Sequence, residues 1–415
     1  LRQFAAEQLN SQPQRQAALL DQHARFYSAF MAGLSPDLRS QRQPQALEAL
    51  SSASGNLRQA WLHLADSAQA DQMAACLDTL YNFYNIKSWF LEGIELFSSA
   101  ANALRPADAP TSAAPHPVFY ALQTRLAAFH IRLGQLDLAW SELEESAAGW
   151  ESLSLVERAM QRSSLCSWLL KRGKYEQAFH ASAEVLHAYQ QAGLENGIAR
   201  AEMYLGTCQQ HLGRMQEALQ HLQTSLQLCR QSGDPRLLLI ILDRLAGLYS
   251  HFGDSSQALP CYTEALQISR DLGDLFFQGL VANNLGALHQ ELAQYDQALA
   301  RYQESLALCQ KIGDRAGAAL ATSNLGEVSM LQGRFDHAIQ YAETALAMGR
   351  EVDDSLTEIS ALCVIAETSV QQGQAARAGE VALQGLRLAS ADQNIEMIAR
   401  LAVALGGALK IAGQL

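Results

Sequence analysis

The apolar positions of the chain fall at helical spacing almost throughout. Ile198, Ala201, Leu205, Cys208 and Leu212 are separated by three, four, three and four residues, which puts them on one face of an α-helix. Forty residues later the stripe returns as Leu238, Ile241, Leu245, Leu248 and Phe252. No unit shows the period-two alternation of a half-buried strand, so an almost wholly helical chain is predicted. The punctuation keeps the same period. A six-residue string beginning with Gly and ending with Ala stands at 173–178, 213–218, 253–258, 333–338 and 373–378, and Ala293 to Ala298 fills the remaining slot. Looser copies at Gly134 to Ala139, one residue out of phase, and at Ser88 to Gly93 complete a set of eight units.

Seven residues before these positions stands a small residue, usually behind an aliphatic one: Leu165-Cys166, Leu205-Gly206, Leu245-Ala246, Leu285-Gly286, Leu325-Gly326 and Ile365-Ala366. A small side chain at one fixed point lets a second helix approach closely, and the Ala five residues after the turn glycine does the same from the other side. Each unit is therefore read as two antiparallel helices. Gly134, Gly173, Gly213, Gly253, Gly333 and Gly373 fall just past a first helix, where a left-handed residue closes the last turn without steric cost. Ala293 departs from that rule, at a cost of about 1 kcal/mol if the left-handed geometry is kept. Gly233-Asp234, Gly273-Asp274 and Gly313-Asp314 mark the second turn, the Asp being placed to cap the next helix. Pro235 then occupies a first helical position, where its missing N–H is harmless, whereas Pro260 inside a second helix predicts a kink or an exposed irregular turn.

These features resemble the tetratricopeptide repeat, at a longer period than its commonest form and much like the extended units of bacterial regulators and kinesin light chains. The resemblance covers about residues 70 to 390. It implies an all-α fold, a tetratricopeptide-repeat right-handed superhelix (α-solenoid) of about eight helix pairs with an N-terminal helical arm. The expected layout is an arm over 1–68, a first helix pair over 69–105, a Pro/Ala-rich linker over 106–117, the superhelix of 39–40-residue units over 118–391, and a C-terminal helix or cap over 392–415. A solenoid needs such a cap to cover its last apolar face. In the arm, residues 1–9, 23–27 and 56–61, followed by Trp89 to Leu104, resemble the region after the winged helix in bacterial signal-transduction ATPases with numerous domains. That group contains the maltose regulator MalT and tetratricopeptide-bearing relatives of antibiotic regulators. This second resemblance implies a fragment of a transcriptional regulator, with a nucleotide-binding domain upstream of Leu1 in the same protein and an output domain beyond one end.

Composition narrows the function classes. Apolar residues make up 49% and charged residues 17%, as in a folded chain. The net charge is −12 and the few lysines are scattered, which disfavours nucleic acid as a direct partner, because phosphate affinity needs clustered cations. No apolar run reaches the length of a membrane helix, so no membrane partner and a cytoplasmic location are expected. The seven cysteines form no C-x-x-C pair and read as reduced, small core residues. There is no phosphate-binding loop, since Gly173-Lys174 runs into Tyr175, and neither an H-E-x-x-H helix nor a G-x-S-x-G turn. His211 and His251 lie one period apart without further donors nearby. No catalytic residue, metal or cofactor is expected.

A superhelix of helix pairs lines its concave wall with one face of every first helix. Opposite the core stripe stand Tyr204 and His211, then Asp243, Arg244 and His251, then Asn283, Asn284, Gln290 and Glu291, then Ser323 and Asn324. Arg244, Asn284 and Asn324 share one slot just before the Leu–small pair. Asn carries a donor and an acceptor, so its repetition makes a ladder suited to an extended peptide backbone. Peptide-binding tetratricopeptide proteins often place an asparagine there, and Asn284 and Asn324 match that position. The candidate groove is therefore Tyr204, Asp243, Arg244, Asn283, Asn284, Gln290, Glu291 and Asn324. The same residues are also what a solvated wall, or helices bonded to their neighbours, would show. Two functions follow: a sensor arm that binds a peptide, protein or small-molecule effector and controls activation and oligomerisation, or a constitutive scaffold that docks a protein partner.

Overall fold

Most first helices stop where the sequence supplies a residue able to turn left-handed. In a computed structural model, which describes residues 13–105 and 114–414, Gly134, Gly173, Gly213, Gly253, Gly333 and Gly373 all have φ between 70° and 77°. Ala293 holds the same place with φ 56°, so the repeat keeps its turn without the glycine. The second turns use side-chain caps. Asp234, Asp314, Asp354 and Asn394 accept the N–H of Leu237, Gly317, Thr357 and Met397 at 3.1, 2.9, 3.3 and 3.2 Å.

Nineteen α-helices and no strands result among the described residues. They are α1 (Pro13–Leu34), α2 (Gln43–Asp66), α3 (Ala70–Ile86), α4 (Phe90–Leu104), α5 (Pro117–Arg132), α6 (Leu136–Ala148), α7 (Leu155–Lys171), α8 (Tyr175–Ala192), α9 (Glu195–His211) and α10 (Met215–Ser232). There follow α11 (Pro235–His251), α12 (Ser255–Leu272), α13 (Leu275–Glu291), α14 (Tyr295–Ile312), α15 (Arg315–Leu331), α16 (Phe335–Glu351), α17 (Ser355–Gln371), α18 (Ala375–Ala391) and α19 (Ile395–Ile411). The segment 1–9 and most of the Pro-rich linker, 106–113, lie outside the described residues. Pro260 is exposed and α12 runs through it without an irregular turn; on an exposed helix face water can satisfy the backbone group that proline leaves unpaired.

The chain divides into two units: the residues up to Leu248 with Gln267–Asp274, and Tyr249–Leu266 with the residues from Leu275 onward. In the first unit each odd-numbered helix from α1 to α9 packs on its even partner, and each from α1 to α7 also on the next odd helix. The arm helices α1 and α2 follow the same rule, α1 meeting α3 and α2 meeting α4, although their sequence lacks the forty-residue period. In the second unit α13, α15 and α17 make the corresponding row, each packed on its pair partner, and the last helix, α19, packs on α17 and α18. Close approach explains the small residues. A Cβ on Gly206 would stand 2.7 Å from Leu222 Cγ and 3.1 Å from the Ala218 carbonyl of α10; one on Gly326 would stand 3.3 Å from the Ala338 carbonyl of α16. The core between is aliphatic and small, with Ala178, Val185, Ala201 and Cys208 buried in the first unit and Ala338, Ala342, Val364 and Ile365 in the second. All seven cysteines are free, and all but Cys261 are buried.

Candidate functional site

The row of first helices in the first unit curls far enough for its beginning to meet its end. The loop between α1 and α2 gives its Arg39 carbonyl to Asn196 Nδ2, at the start of α9, at 3.3 Å. The end of α3 meets the start of α11, Arg236 donating to the Asn85 carbonyl at 3.5 Å, and the turn after α3 meets the turn before α13, Ser88 Oγ donating to Asp274 at 3.3 Å. Arg236 Nε also donates to Asp274 at 3.0 Å, and the Asp274 side chain is wholly buried. These partners are more than 150 residues apart in sequence.

Several ionisable side chains lie on the first helices of this unit. Arg125 in α5 is fully buried and bound by two carboxylates, Asp78 of α3 and Glu157 of α7, with a further hydrogen bond to the Ala121 carbonyl at 3.1 Å. Burial pushes the Asp78 carboxyl up, but Arg125 and Arg39 outweigh that and hold it below the usual carboxylate range. Arg132, at the end of α5, is different. Burial and the like charge of Arg236 bring its guanidinium down to about 10, against the opposing pull of Tyr81, Asp274 and Tyr204. Arg200 in α9 is half-buried; desolvation opposes its charge, but Tyr189, Tyr204, Asp234 and Tyr81 outweigh it and hold the guanidinium above its usual range. The Tyr204 hydroxyl lies 3.0 Å from Ser167 Oγ, and burial raises it above the ordinary phenol range despite Arg200.

The residues singled out from the sequence are distributed over both units. Tyr204 and Arg244 are half-buried in the first, and Asp243 is 2% exposed, packed inside and not presented to a groove. Arg244 lies close enough to His211 to join burial in lowering that imidazole, whose ring stacks on Tyr175 at 4.4 Å. In the second unit Asn284 and Asn324 are half-buried, whereas Asn283 is 8% exposed. Asn324 Nδ2 donates to Asn283 Oδ1 at 2.9 Å, so this amide ties α15 to α13. Gln290 accepts from the Tyr302 hydroxyl at 3.0 Å, and Glu291 is exposed, its carboxyl raised by what burial it has.

Sequence reasoning missed the arginines. Arg200 was findable, since it lies four residues, one helical turn, before Tyr204 and shares its face. Arg125 stands in the slot of Arg244, Asn284 and Asn324, two repeats before Tyr204, but the 39-residue first interval hides the register. Arg400 of α19 was missed as well: it grips Glu367 with two bonds of 2.9 Å and Glu327 with one of 2.9 Å, three repeats tied through one fork. Among the described residues no three His, Cys, Asp or Glu side chains are grouped as metal ligands, and no helix is long and apolar enough to cross a membrane.

Comparison with known proteins places this architecture. The tetratricopeptide repeat family profile matches residues 197–271 and 278–351. No curated protein matches the chain. Among solved structures, the signal-transduction ATPase with numerous domains and a tetratricopeptide repeat sensor from Pyrococcus horikoshii is 14% identical, with a TM-score of 0.56 over 89% of this chain and 55% of that one. The Rap protein complexed with competence and sporulation factor is 14% identical, with a TM-score of 0.52 over 80% of this chain and 99% of that one. Cut9, in the anaphase-promoting-complex assembly with Hcn1, is 16% identical, with a TM-score of 0.57 over 91% and 69%. The fold is all-α and of the tetratricopeptide-repeat type, and the chain contains a tetratricopeptide-repeat region. This chain spans about half the length of the archaeal ATPase.

Proposed function

We propose that this chain is the sensor arm of a signal-transduction ATPase with numerous domains. Its first-helix wall binds an effector, a peptide, protein or small molecule, and the bound state favours activation and oligomerisation through a nucleotide-binding domain of the same protein. Tetratricopeptide repeats are interaction modules, and the role proposed for the arm is binding. The observation that carries the reading is the polar first-helix wall of the first unit. Arg125, clamped by Asp78 and Glu157, and Tyr204, hydrogen-bonded with Ser167, put charge and hydroxyl groups on the first helices of a unit whose early and late helices meet, which a passive spacer does not require. The fold shared with an archaeal tetratricopeptide repeat sensor and with a factor-bound Rap protein supports it.

The second reading, a constitutive scaffold for a protein partner, is favoured by one contact in the other unit. Asn324, a candidate ladder residue, bonds Asn283 across helices, as a structural asparagine does. Thermal unfolding of the purified chain against fractionated small molecules and peptides separates the two. The sensor reading expects saturable, concentration-dependent stabilisation by a component that binds the native state; a scaffold shows none from any such fraction and is stabilised only by a protein partner.

A further inference from the structure

The last helix of the second unit, α19, is by its register a first helix. Leu405-Gly406 stands forty residues after Ile365-Ala366, and Gly413, forty after Gly373, makes the same left-handed turn with φ 68°. In α17 the slots Ile359, Leu362, Cys363 and Ala366 are all buried, and the same four slots are buried in α13 and α15. Two neighbours cover them. A Cβ on Gly326 would meet the backbone of its second helix, α16, at 3.3 Å, and Cys363 Sγ lies 3.7 Å from Met397 Sδ of the next first helix. The counterparts in α19 are bare: Ala399, Ala402 and Val403 are exposed, Val403 to 76%, and a Cβ on Gly406 would meet nothing within 4 Å. The interface that joins the repeats thus continues onto α19 and stays open there.

A helix that closes a solenoid presents a polar outer face. That of α19 is apolar between Glu396 and Lys410, with Ile395 81% exposed beside it, and a row of bare apolar side chains in register with a buried interface marks a contact surface. The stripe itself indicates what fits. Second helices offer first helices small side chains at intervals of four and three, Ala338, Ala342 and Ala345 in α16 and Ala378, Ala382 and Gly385 in α18. Ala399, Val403 and Gly406 repeat that spacing, so the face of α19 that lacks a second helix also has the form of one. Charge then sets the direction. Glu396 and Lys410 are exposed and stand seven residues before and after Val403, on the face it occupies. Two copies of α19 packed antiparallel about Val403 set Glu396 of each beside Lys410 of the other, whereas a parallel pair sets like charges together.

The geometry points to a second copy of this chain as the occupant: a twofold-symmetric dimer through the outer faces of two antiparallel α19 helices, each serving as the other's second helix. It forms without an effector, so it stands apart from the sensor reading. One helix pair buries less than the roughly 1,200 Å² of a standard interface, so the dimer is weak, with a dissociation constant on the order of tens of micromolar.

Sedimentation equilibrium of the full chain, over concentrations that bracket that value, tests this. Wild type should show a reversible monomer–dimer equilibrium. Val403→Glu sets two carboxylates on the twofold axis and should weaken the dimer about tenfold or more. Its helical circular dichroism should not change, because Val403 is exposed in the monomer. Glu396→Lys and Lys410→Glu should each weaken the dimer, and the variant carrying both should recover wild-type affinity, which mere damage to α19 would not do. This charge-reversal series decides the matter should Val403→Glu lose its helical signal. A chain that stays monomeric throughout overturns the proposal and leaves the face to a different helix. A dimer that Val403→Glu holds at wild-type affinity overturns it too, as does a double reversal that associates no better than either single change.

Discussion

Adding one methyl group at Gly286 tests whether the repeat is held together by close helix approach. A Cβ built there would stand 2.7 Å from Tyr302 Cε1, 2.8 Å from Cδ1 and 3.2 Å from Cγ. That ring belongs to α14, is 1% exposed, and packs in a cluster with Ala298, Leu325 and Val328. Its hydroxyl is also fixed on Gln290. The ring cannot swing aside without breaking that bond or pressing on α15. Gly286→Ala gains about 1 kcal/mol of helix propensity, and the overpacking costs about 1 to 3 kcal/mol. The net expectation is a loss of up to about 2 kcal/mol, and Gly286→Leu should lose more. Gly406 is the control. It lies inside α19 with nothing within 4 Å of its added Cβ, so Gly406→Ala should stabilise by about 0.5 to 1 kcal/mol. Urea unfolding followed by far-ultraviolet circular dichroism reads both changes, with loss at Gly286 spreading into neighbouring repeats. A Gly286→Ala protein as stable as wild type, beside a stabilised Gly406→Ala, would refute the close-packing argument.

Three further outcomes follow from the same contacts. Asp274→Asn leaves the Arg236 charge without its buried partner and should cost about 3 kcal/mol or more in urea unfolding, while Asp271→Asn, on the exposed surface of α12, should cost little. Asp78 has a folded pKa below its unfolded value, so its contribution to stability is complete above pH 4 and is lost as pH falls through the folded value; Asp78→Asn should flatten the acid limb of a stability–pH curve. Burial holds the thiols of Cys166, Cys229 and Cys309 up to about 12, so in native protein at pH 8 iodoacetamide should label Cys261 first, and mass spectrometry of the peptides shows the order.

The repeat was legible because its signals are local. Gly213 and Asp234 each declare a turn through backbone sterics or a hydrogen bond three residues away, and Gly206 marks a close approach inside its own unit. Even Ala293, which breaks the glycine pattern, was placed correctly by phase alone. The arm was harder. Helices α1 and α2 join the same stack without the small-residue punctuation that makes the period visible. The wall was legible only in part. The 3.6-residue period separates the core stripe from the opposite face, but that face is itself divided between groove and neighbouring helix, which is why Asp243 and Asn283 proved buried. The pairings of Arg236 with Asn85 and of Ser88 with Asp274 span more than 150 residues, and no local pattern encodes them. They depend on the accumulated rotation of successive helix pairs, a property of the whole unit.

Hydrogen exchange with and without a stabilising effector fraction measures the central claim, that the first-helix wall is the sensing surface. The account predicts slowed exchange concentrated in first helices, above all α5, α9 and the start of α11, with the second helices α8 and α10 nearly unchanged. Protection confined to the second helices, or absent from α9 under saturating effector, would contradict it.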